Sequence, residues 1–188
     1  MGLLYSYLFV FAIIGTSELL HRIGILGDEG SRKFIHIGVG NWILVAPIVF
    51  DNLYLVLIPP VTFIVLNYVS FRFDLVKSME RDTKSIRDLG TVYYAISYFL
   101  VIAFDVLFFD VIYLSILPIL IMAYGDGLSA VIGNRFFSKS MIGNKTLYGT
   151  ITMFIVSVIV AAIFISSWWM ILLIGTIATL IELFTPRG

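Results

Sequence analysis

Residues 123–150 read A-Y-G-D-G-L-S-A-V-I-G-N-R-F-F-S-K-S-M-I-G-N-K-T-L-Y-G-T, and this stretch lies between two long apolar runs. It contains one acid, Asp126, several glycines, and three cations at Arg135, Lys139 and Lys145. Glycines allow a backbone to approach a bulky anion, an acid can hold a divalent cation, and cations neutralise phosphates. Together these residue types suit a complex of a metal ion with a nucleotide.

The rest of the chain is apolar enough to belong in a membrane. Of its 188 residues, 60% are hydrophobic and 13% are charged, and the mean hydropathy is +1.04. A spanning helix needs about 20 mostly apolar residues. Seven runs are candidates, at residues 3–20, 34–50, 53–70, 91–104, 111–129, 150–168 and 169–185, of which the fourth is short for a bilayer. The sequence therefore predicts an all-α, polytopic membrane protein with about seven transmembrane helices, organised as a single integral-membrane domain over residues 1–188.

The positive charges set the predicted orientation in the bilayer. All 12 lysine and arginine residues fall in the connections after the first, third, fifth and seventh spans. Cytoplasmic connections carry the excess of lysine and arginine in membrane proteins, so we expect the N-terminus to lie outside. Residues 71–89 are polar, with apolar residues at helical spacing, which predicts a helix along the cytoplasmic surface.

Several kinds of site are excluded by composition and spacing. The chain has no cysteine, which excludes disulfides, thiolate nucleophiles and zinc–thiolate centres. The phosphate-loop pattern G-x-x-x-x-G-K-[ST] is absent. No aspartate follows Asp126, although the aspartate-rich motif of CDP-alcohol phosphotransferases requires several. The sequence has no basic, aromatic patch of the kind that binds nucleic acid, so no nucleic-acid partner is expected.

Asp126 is the strongest single signal of chemistry. It follows an apolar run, and an unpaired acid within a span costs roughly 2.5–3.5 kcal/mol, so such a residue usually has a partner or a task. Capping of a helix end at the membrane interface is the alternative. The flanking glycines, Gly125 and Gly127, and the cations downstream favour a binding site.

The cations after Asp126 have two interpretations. Arg135, Lys139 and Lys145 lie in a predicted cytoplasmic connection, where cations commonly fix topology and contact lipid headgroups. Lys145 and Thr146, however, stand in the run G-N-K-T-L-Y-G-T with Gly149. Glycines and hydroxyl groups around a lysine favour phosphate binding at this point.

A second cluster, Arg32, Lys33 and His36, begins the second predicted span. Spacings of three and four residues place these side chains on one helix face. His36 could accept a proton from a hydroxyl or bind phosphate, or it could bond a neighbouring helix. The two cations fit both anchoring of the span and phosphate binding.

Two further acids lie near the predicted cytoplasmic ends of spans. Glu18 and Glu182 are level with the predicted site, and each suits either a metal ligand or the partner of a cation. We expect a structural role for Glu18. Glu182 is predicted to be a second metal ligand beside Asp126.

Four motifs resemble the CTP-dependent polyprenol kinases, the family that groups dolichol kinase, phytol kinase and yeast-type diacylglycerol kinase. They are S-R-K-F-I-H at Ser31–His36, R-D-L-G-T-V-Y-Y at Arg87–Tyr94, G-D-G-L-S-A-V-I-G at Gly125–Gly133 and N-K-T-L-Y-G-T at Asn144–Thr150. The resemblance covers about residues 30–183. It implies transfer of the γ-phosphate of CTP, with Mg²⁺, to a lipid alcohol of the bilayer at the cytoplasmic face. The acceptor would be a polyprenol, dolichol, phytol, geranylgeraniol or diacylglycerol.

The same resemblance assigns roles to residues. Asp126 would hold the metal or orient the acceptor hydroxyl, and His36 would complete the catalytic pocket. Nucleotide and phosphate contacts would come from Arg32, Lys33, Gly125, Gly127, Arg135, Lys139, Lys145, Thr146 and Gly149. After the glutamate of the last helix the family continues with an Asp-Asn element, whereas this sequence stops at Gly188. That difference predicts either a chain truncated at the C-terminus or a reduced member of the family.

Two other functions fit parts of the sequence. A phosphatidate-type cytidylyltransferase would share the nucleotide, the metal and the lipid, but it would release pyrophosphate. A seven-helix transporter would explain the spans, but the cations cluster at one face and no two halves of the sequence repeat. The sequence favours the kinase and leaves the oligomeric state open.

Overall fold

A computed structural model describes residues 1–73, 89–136 and 145–185. Every regular element in these ranges is a helix. Five helical stretches are long and apolar enough to cross a membrane: Gly2–Arg22, Leu53–Phe73, Gly90–Phe109, Tyr113–Arg135 and Leu147–Phe164. Large apolar side chains such as Ile48 and Ile163 are exposed on the helices, as lipid-facing residues are. The prediction of an all-α, polytopic membrane protein is confirmed.

The first of two compact units covers Met1–Ile119. Its helices are α1 (Gly2–Arg22), α2 (Asp28–Gly40), α3 (Trp42–Val49), α4 (Ile58–Phe73, preceded by a 3₁₀ turn at Leu53–Leu57), α5 (Gly90–Phe109) and most of α6 (Tyr113–Leu120). Helix α1 packs against α2 and α3, and α4 packs against α5.

The second compact unit covers Leu120–Arg187. It contains a π-helical segment (Ile121–Asp126) followed by α7 (Gly127–Arg135), α8 (Leu147–Phe164) and α9 (Trp168–Phe184). Helix α8 packs against both α7 and α9. The first part of the quoted stretch, as far as Arg135, is therefore helical throughout.

The predicted second span, residues 34–50, is two helices in the structure. Helix α2 ends at Gly40 and α3 begins at Trp42. Between them, the N–H of Leu44 bonds the Asn41 carbonyl, three residues back, at 3.0 Å. The Asn41 side chain also donates to the carbonyl of Ile37 at 2.9 Å. The Asn41 carbonyl thus satisfies a backbone N–H at the break, and its side chain adds a second donor to the Ile37 carbonyl.

The other predicted spans match the structure to different extents. Five of the seven overlap the five long helices, and the last, residues 169–185, corresponds to α9, which has 17 residues. The count of seven crossings and the outside N-terminus stay predictions. The predicted surface helix at 71–89 falls mostly on residues 74–88, which lie outside the described ranges.

Helix α5 runs five residues past its predicted end at Phe104. It takes in Asp105, which is only 4% exposed. The hydroxyl of Ser115 donates to the Asp105 carboxylate at 2.7 Å, so the acid can be buried in the helix. The chain turns at Asp110 instead, whose φ of 53° is in the left-handed region that aspartate tolerates.

Two tyrosines of α5 donate hydrogen bonds to carbonyls of α2. The Tyr94 hydroxyl bonds the His36 carbonyl and the Tyr98 hydroxyl bonds the Gly40 carbonyl, both at 3.1 Å. In a continuous helix the N–H of Leu44 would bond Gly40, but here it bonds Asn41. Tyr98 therefore supplies the donor that the helix break removes.

We expect Tyr98→Phe to destabilise the protein by about 1–3 kcal/mol, because it leaves a buried carbonyl without a donor. Tyr93→Phe is the matched control, since Tyr93 lies on the same helix and is 51% exposed. Thermal unfolding of both purified variants in detergent measures the difference. Equal transition temperatures would show that Tyr98 does not support the break.

Candidate active site

Asp126 is the last residue of the π-helical segment and immediately precedes α7. It lies within the apolar stretch Tyr113–Arg135 and is partly buried, while its neighbours Gly125 and Gly127 are buried. π-helical turns are rare and occur often at functional sites, because the extra residue changes the direction of the side chains that follow. The structure thus sets the acid at an irregularity inside a membrane-length helix.

The glycines around Asp126 serve close packing of helices. A Cβ atom on Gly125 would lie 2.5 Å from the Met153 sulfur on α8. A Cβ on Gly133 would lie 2.6 Å from the Thr146 hydroxyl, and one on Gly149 would lie 3.0 Å from the carbonyl of Ser129. Small residues let helices in membranes approach closely. This contact accounts for Gly125 and Gly149 without a nucleotide, so their predicted phosphate contacts stay predictions.

The same contacts fix the register of α7 and α8. Gly133 lies beside the start of α8 and Gly125 lies beside Met153, so the two helices run antiparallel. From the level of Thr146 to the level of Met153 is about two helical turns, or roughly 10 Å. Asp126 therefore lies deeper along the helix pair than the start of α8.

Lys145 and Glu182 form a buried ion pair. The Lys145 Nζ contacts Oε1 of Glu182, and the two side chains are only 9% and 11% exposed. Lys145 lies two residues before α8, next to its cap Thr146, and Glu182 lies in the last turn of α9. The sequence predicted that both residues belong to the site, and the structure brings them into contact with each other.

Thr146 caps α8. Its hydroxyl oxygen accepts the N–H of Gly149 at 3.3 Å and lies 3.4 Å from the carbonyl of Gly133. The cap satisfies one of the backbone N–H groups left open at the start of a helix, and the others remain suited to anions. Thr146 thus has a structural task whether or not phosphate binds beside it.

Two further cations, Arg135 and Lys139, were predicted to bind phosphate. Arg135 is exposed at the end of α7, so along the helix it is roughly 13 Å from Asp126. A cation at this end of a helix also complements the helix dipole. Lys139 lies outside the described residues.

The second predicted cluster faces the start of α5. The Arg32 guanidinium pairs with Glu29 at 2.7 Å and lies 3.9 Å from the Cβ position of Gly90. The His36 ring stacks on the Tyr94 ring with centroids 3.9 Å apart. Lys33 is buried. Contact of His36 with a neighbouring helix is thus observed, and its role with phosphate stays a prediction.

Two contacts were missed by the sequence reasoning. The first is the pairing of Tyr94 with His36, although both residues stand in motifs that were singled out. The four-residue spacing of Tyr94 and Tyr98 was the available signal, because it places both on one helix face. The second is the pairing of Lys145 with Glu182. Both residues were predicted to lie at the cytoplasmic side of the membrane, and this shared location could have suggested the pairing.

A magnesium ion can be fitted to part of the predicted ligand set. Within residues 1–73, 89–136 and 145–185, no three histidine or acidic side chains are grouped to hold a metal. Magnesium bound with a nucleotide, however, needs one or two carboxylates and takes its remaining ligands from phosphates and water. Asp126 meets that requirement by itself. Glu182 is engaged by Lys145, which weakens its assignment as a ligand.

The fold is that of an all-helical membrane protein, with an acid inside a membrane-length helix and a buried lysine just before α8. The chain is 31% identical over 169 residues to the phytol kinase of Synechocystis sp., and the match covers 88% of this chain and 70% of that protein. The chain therefore belongs to the polyprenol kinase family that its four motifs indicated, and it is a lipid-alcohol kinase at the level of the family. No family model matches the chain, and no solved structure matches it.

We expect Gly133→Ala to destabilise the protein by about 1–3 kcal/mol, because the added methyl group overlaps the Thr146 hydroxyl. Gly15→Ala in α1 is the control, since a Cβ there meets nothing within 4 Å. That change should be neutral or stabilising by up to about 1 kcal/mol, the helix propensity difference between the residues. Unfolding temperatures in detergent compare the two, and equal effects would contradict the close helix contact.

Proposed function

We propose that this protein transfers the γ-phosphate of CTP to the hydroxyl of a membrane lipid alcohol at the cytoplasmic face of the bilayer. The observation that carries the proposal is the match to a phytol kinase along 88% of the chain. Because that relative is a phytol kinase, we propose an isoprenoid alcohol of the phytol type as the first acceptor to test. The use of CTP rests on the family resemblance of the motifs.

Asp126 is the proposed centre of the reaction. Phosphoryl transfer needs chiefly positioning and neutralisation of charge, and the protein itself does little covalent chemistry. A bound Mg²⁺ would neutralise phosphate charge beside the Asp126 carboxylate. The acceptor oxygen forms the new bond to the γ-phosphorus, CDP leaves as the bond from that phosphorus to its bridging oxygen breaks, and the hydroxyl proton is released, so the products are lipid phosphate, CDP and one proton.

Cations supply the rest of the proposed site. Lys145 and the open N–H groups of the first turn of α8 offer positive charge beside each other. We propose that they contact the nucleotide phosphates, with Arg135 and Lys139 as further cations of the same connection. The phosphate contacts predicted for Arg32, Lys33 and His36, which belong to the first unit, stay predictions.

The proposed cytoplasmic location rests on charge distribution. All 12 lysine and arginine residues fall in alternate connections of the seven-span scheme. Because such connections lie in the cytoplasm, the ends of the helices that carry Lys145 and Glu182 would meet cytoplasmic CTP. The acceptor would enter laterally from the lipid.

We expect purified protein to transfer label from γ-labelled CTP to phytol or geranylgeraniol, and Asp126→Asn to reduce the rate by about 100-fold or more. Dolichol, diacylglycerol and ATP complete the panel. Asp110→Asn is the matched control, since it makes the same chemical change at an exposed turn. Its activity should equal that of the wild type.

The products also separate the alternatives. Labelled lipid phosphate supports the kinase, whereas a CDP-lipid with pyrophosphate would establish a cytidylyltransferase. Folded protein that modifies no alcohol but takes one up into proteoliposomes would favour a transporter. Full activity in Asp126→Asn would remove this residue from the site.

A further inference from the structure

The Lys145–Glu182 pair has charges placed against the preference of the helices that carry them. A helix start favours negative charge and a helix end favours positive charge, because the peptide dipoles align. Here the lysine precedes α8 and the glutamate lies in the last turn of α9. The opposite arrangement, with glutamate at α8 and lysine at α9, would suit both helices better.

Burial makes this placement harder to explain by stability. Both side chains are about nine-tenths buried. Taking a charge out of water is expensive, and the attraction within a buried pair roughly offsets that expense, so such pairs are weak evidence for a stabilising role. A lysine without a partner would extend its flexible side chain toward water. In the structure, Glu182 is the acid that accompanies the Lys145 ammonium into the protein interior.

We propose that Glu182 is a positioning residue that holds the Lys145 ammonium at the start of α8, where the nucleotide phosphates bind. This assignment replaces the metal-ligand role that the sequence suggested for Glu182. It rests on the proposed function in one respect, the contact of Lys145 with phosphate. This role explains why the positive charge lies at the start of α8 and the negative charge at the end of α9, because positive charge is needed at the start of α8 to meet an anion.

Three variants separate positioning from the alternatives. Glu182→Gln keeps the shape of the side chain and removes its charge. The double variant Lys145→Glu with Glu182→Lys keeps a buried pair and improves its match to both helix dipoles. Thr176→Val is the control on α9, because its hydroxyl is exposed and bonds a carbonyl of its own helix.

In kinase assays, we expect Glu182→Gln to raise the KM for CTP about tenfold, with kcat changed much less, because ground-state phosphate binding is weakened. The Mg²⁺ concentration for half-maximal activity should stay unchanged. The charge-swapped protein should unfold at or above the wild-type temperature and lose CTP-dependent transfer. Thr176→Val should match the wild type throughout.

Specific results would overturn the proposal. A raised Mg²⁺ requirement in Glu182→Gln would establish a metal ligand instead. Full activity in the charge-swapped protein would show that the pair is structural. Should Glu182→Gln fail to fold, the charge-swapped protein still tests the structural alternative, because a merely structural pair predicts that it folds and stays active.

Chemical labelling of Lys145 does not depend on catalysis, so it tests the positioning role of Glu182 separately from the proposed kinase activity. Acylation of the Lys145 amine by an amine-reactive reagent, followed by mass spectrometry, should be slow in the wild type and several-fold faster in Glu182→Gln. CTP with Mg²⁺ should further protect Lys145 in the wild type. Equal labelling of both proteins overturns the positioning role. Slow labelling without CTP protection overturns the phosphate contact, whatever the kinase assay shows.

Discussion

Backbone N–H and C=O groups inside a bilayer have no water to bond, so any irregularity in a spanning helix must be closed by other groups of the protein. The first unit shows how this is done at Asn41, where α2 and α3 separate. The Asn41 side chain bonds back onto α2, and the Tyr98 hydroxyl takes the Gly40 carbonyl. Irregular backbone is then tolerated. The His36 ring lies one turn before the break and packs against Tyr94, which is on the same face of α5 as Tyr98.

Charge obeys the same constraint as backbone polarity. Asp105 is buried and bonds Ser115, and Lys145 is buried against Glu182. The first contact is local and explains how a helix can extend past an acid. The second joins Lys145, just before α8, to Glu182 in the last turn of α9. The helix dipoles disfavour a positive charge at a helix start and a negative charge at a helix end, so stability does not explain this pair. Ion pairs of this second kind are better evidence of function than the number of charges in a loop.

Apolar runs predicted most of the helices because a long run of apolar residues has few other folds available in lipid. The break at Asn41 could not be predicted this way, since a single asparagine in an apolar run fits both a continuous and a broken helix. Asp126 was singled out from its flanking glycines and motif, and its role stays a prediction. The contact of Gly125 with α8 was not predicted, because a glycine allows close approach of an anion and of a helix for the same reason, the absence of a side chain. The pairing of Lys145 with Glu182 depends on the packing of α9 on α8.

The glycine contacts between α7 and α8 finally determine how the site can be used. They set Asp126 about two turns, or roughly 10 Å, deeper along the helix pair than the start of α8. The backbones of Asp126 and Lys145 are therefore at different levels along the helix pair. The lysine lies just before α8, and the acid lies within the apolar stretch Tyr113–Arg135. Under the proposed function, this arrangement would let the nucleotide approach the lysine from water and the lipid alcohol approach the acid from the bilayer.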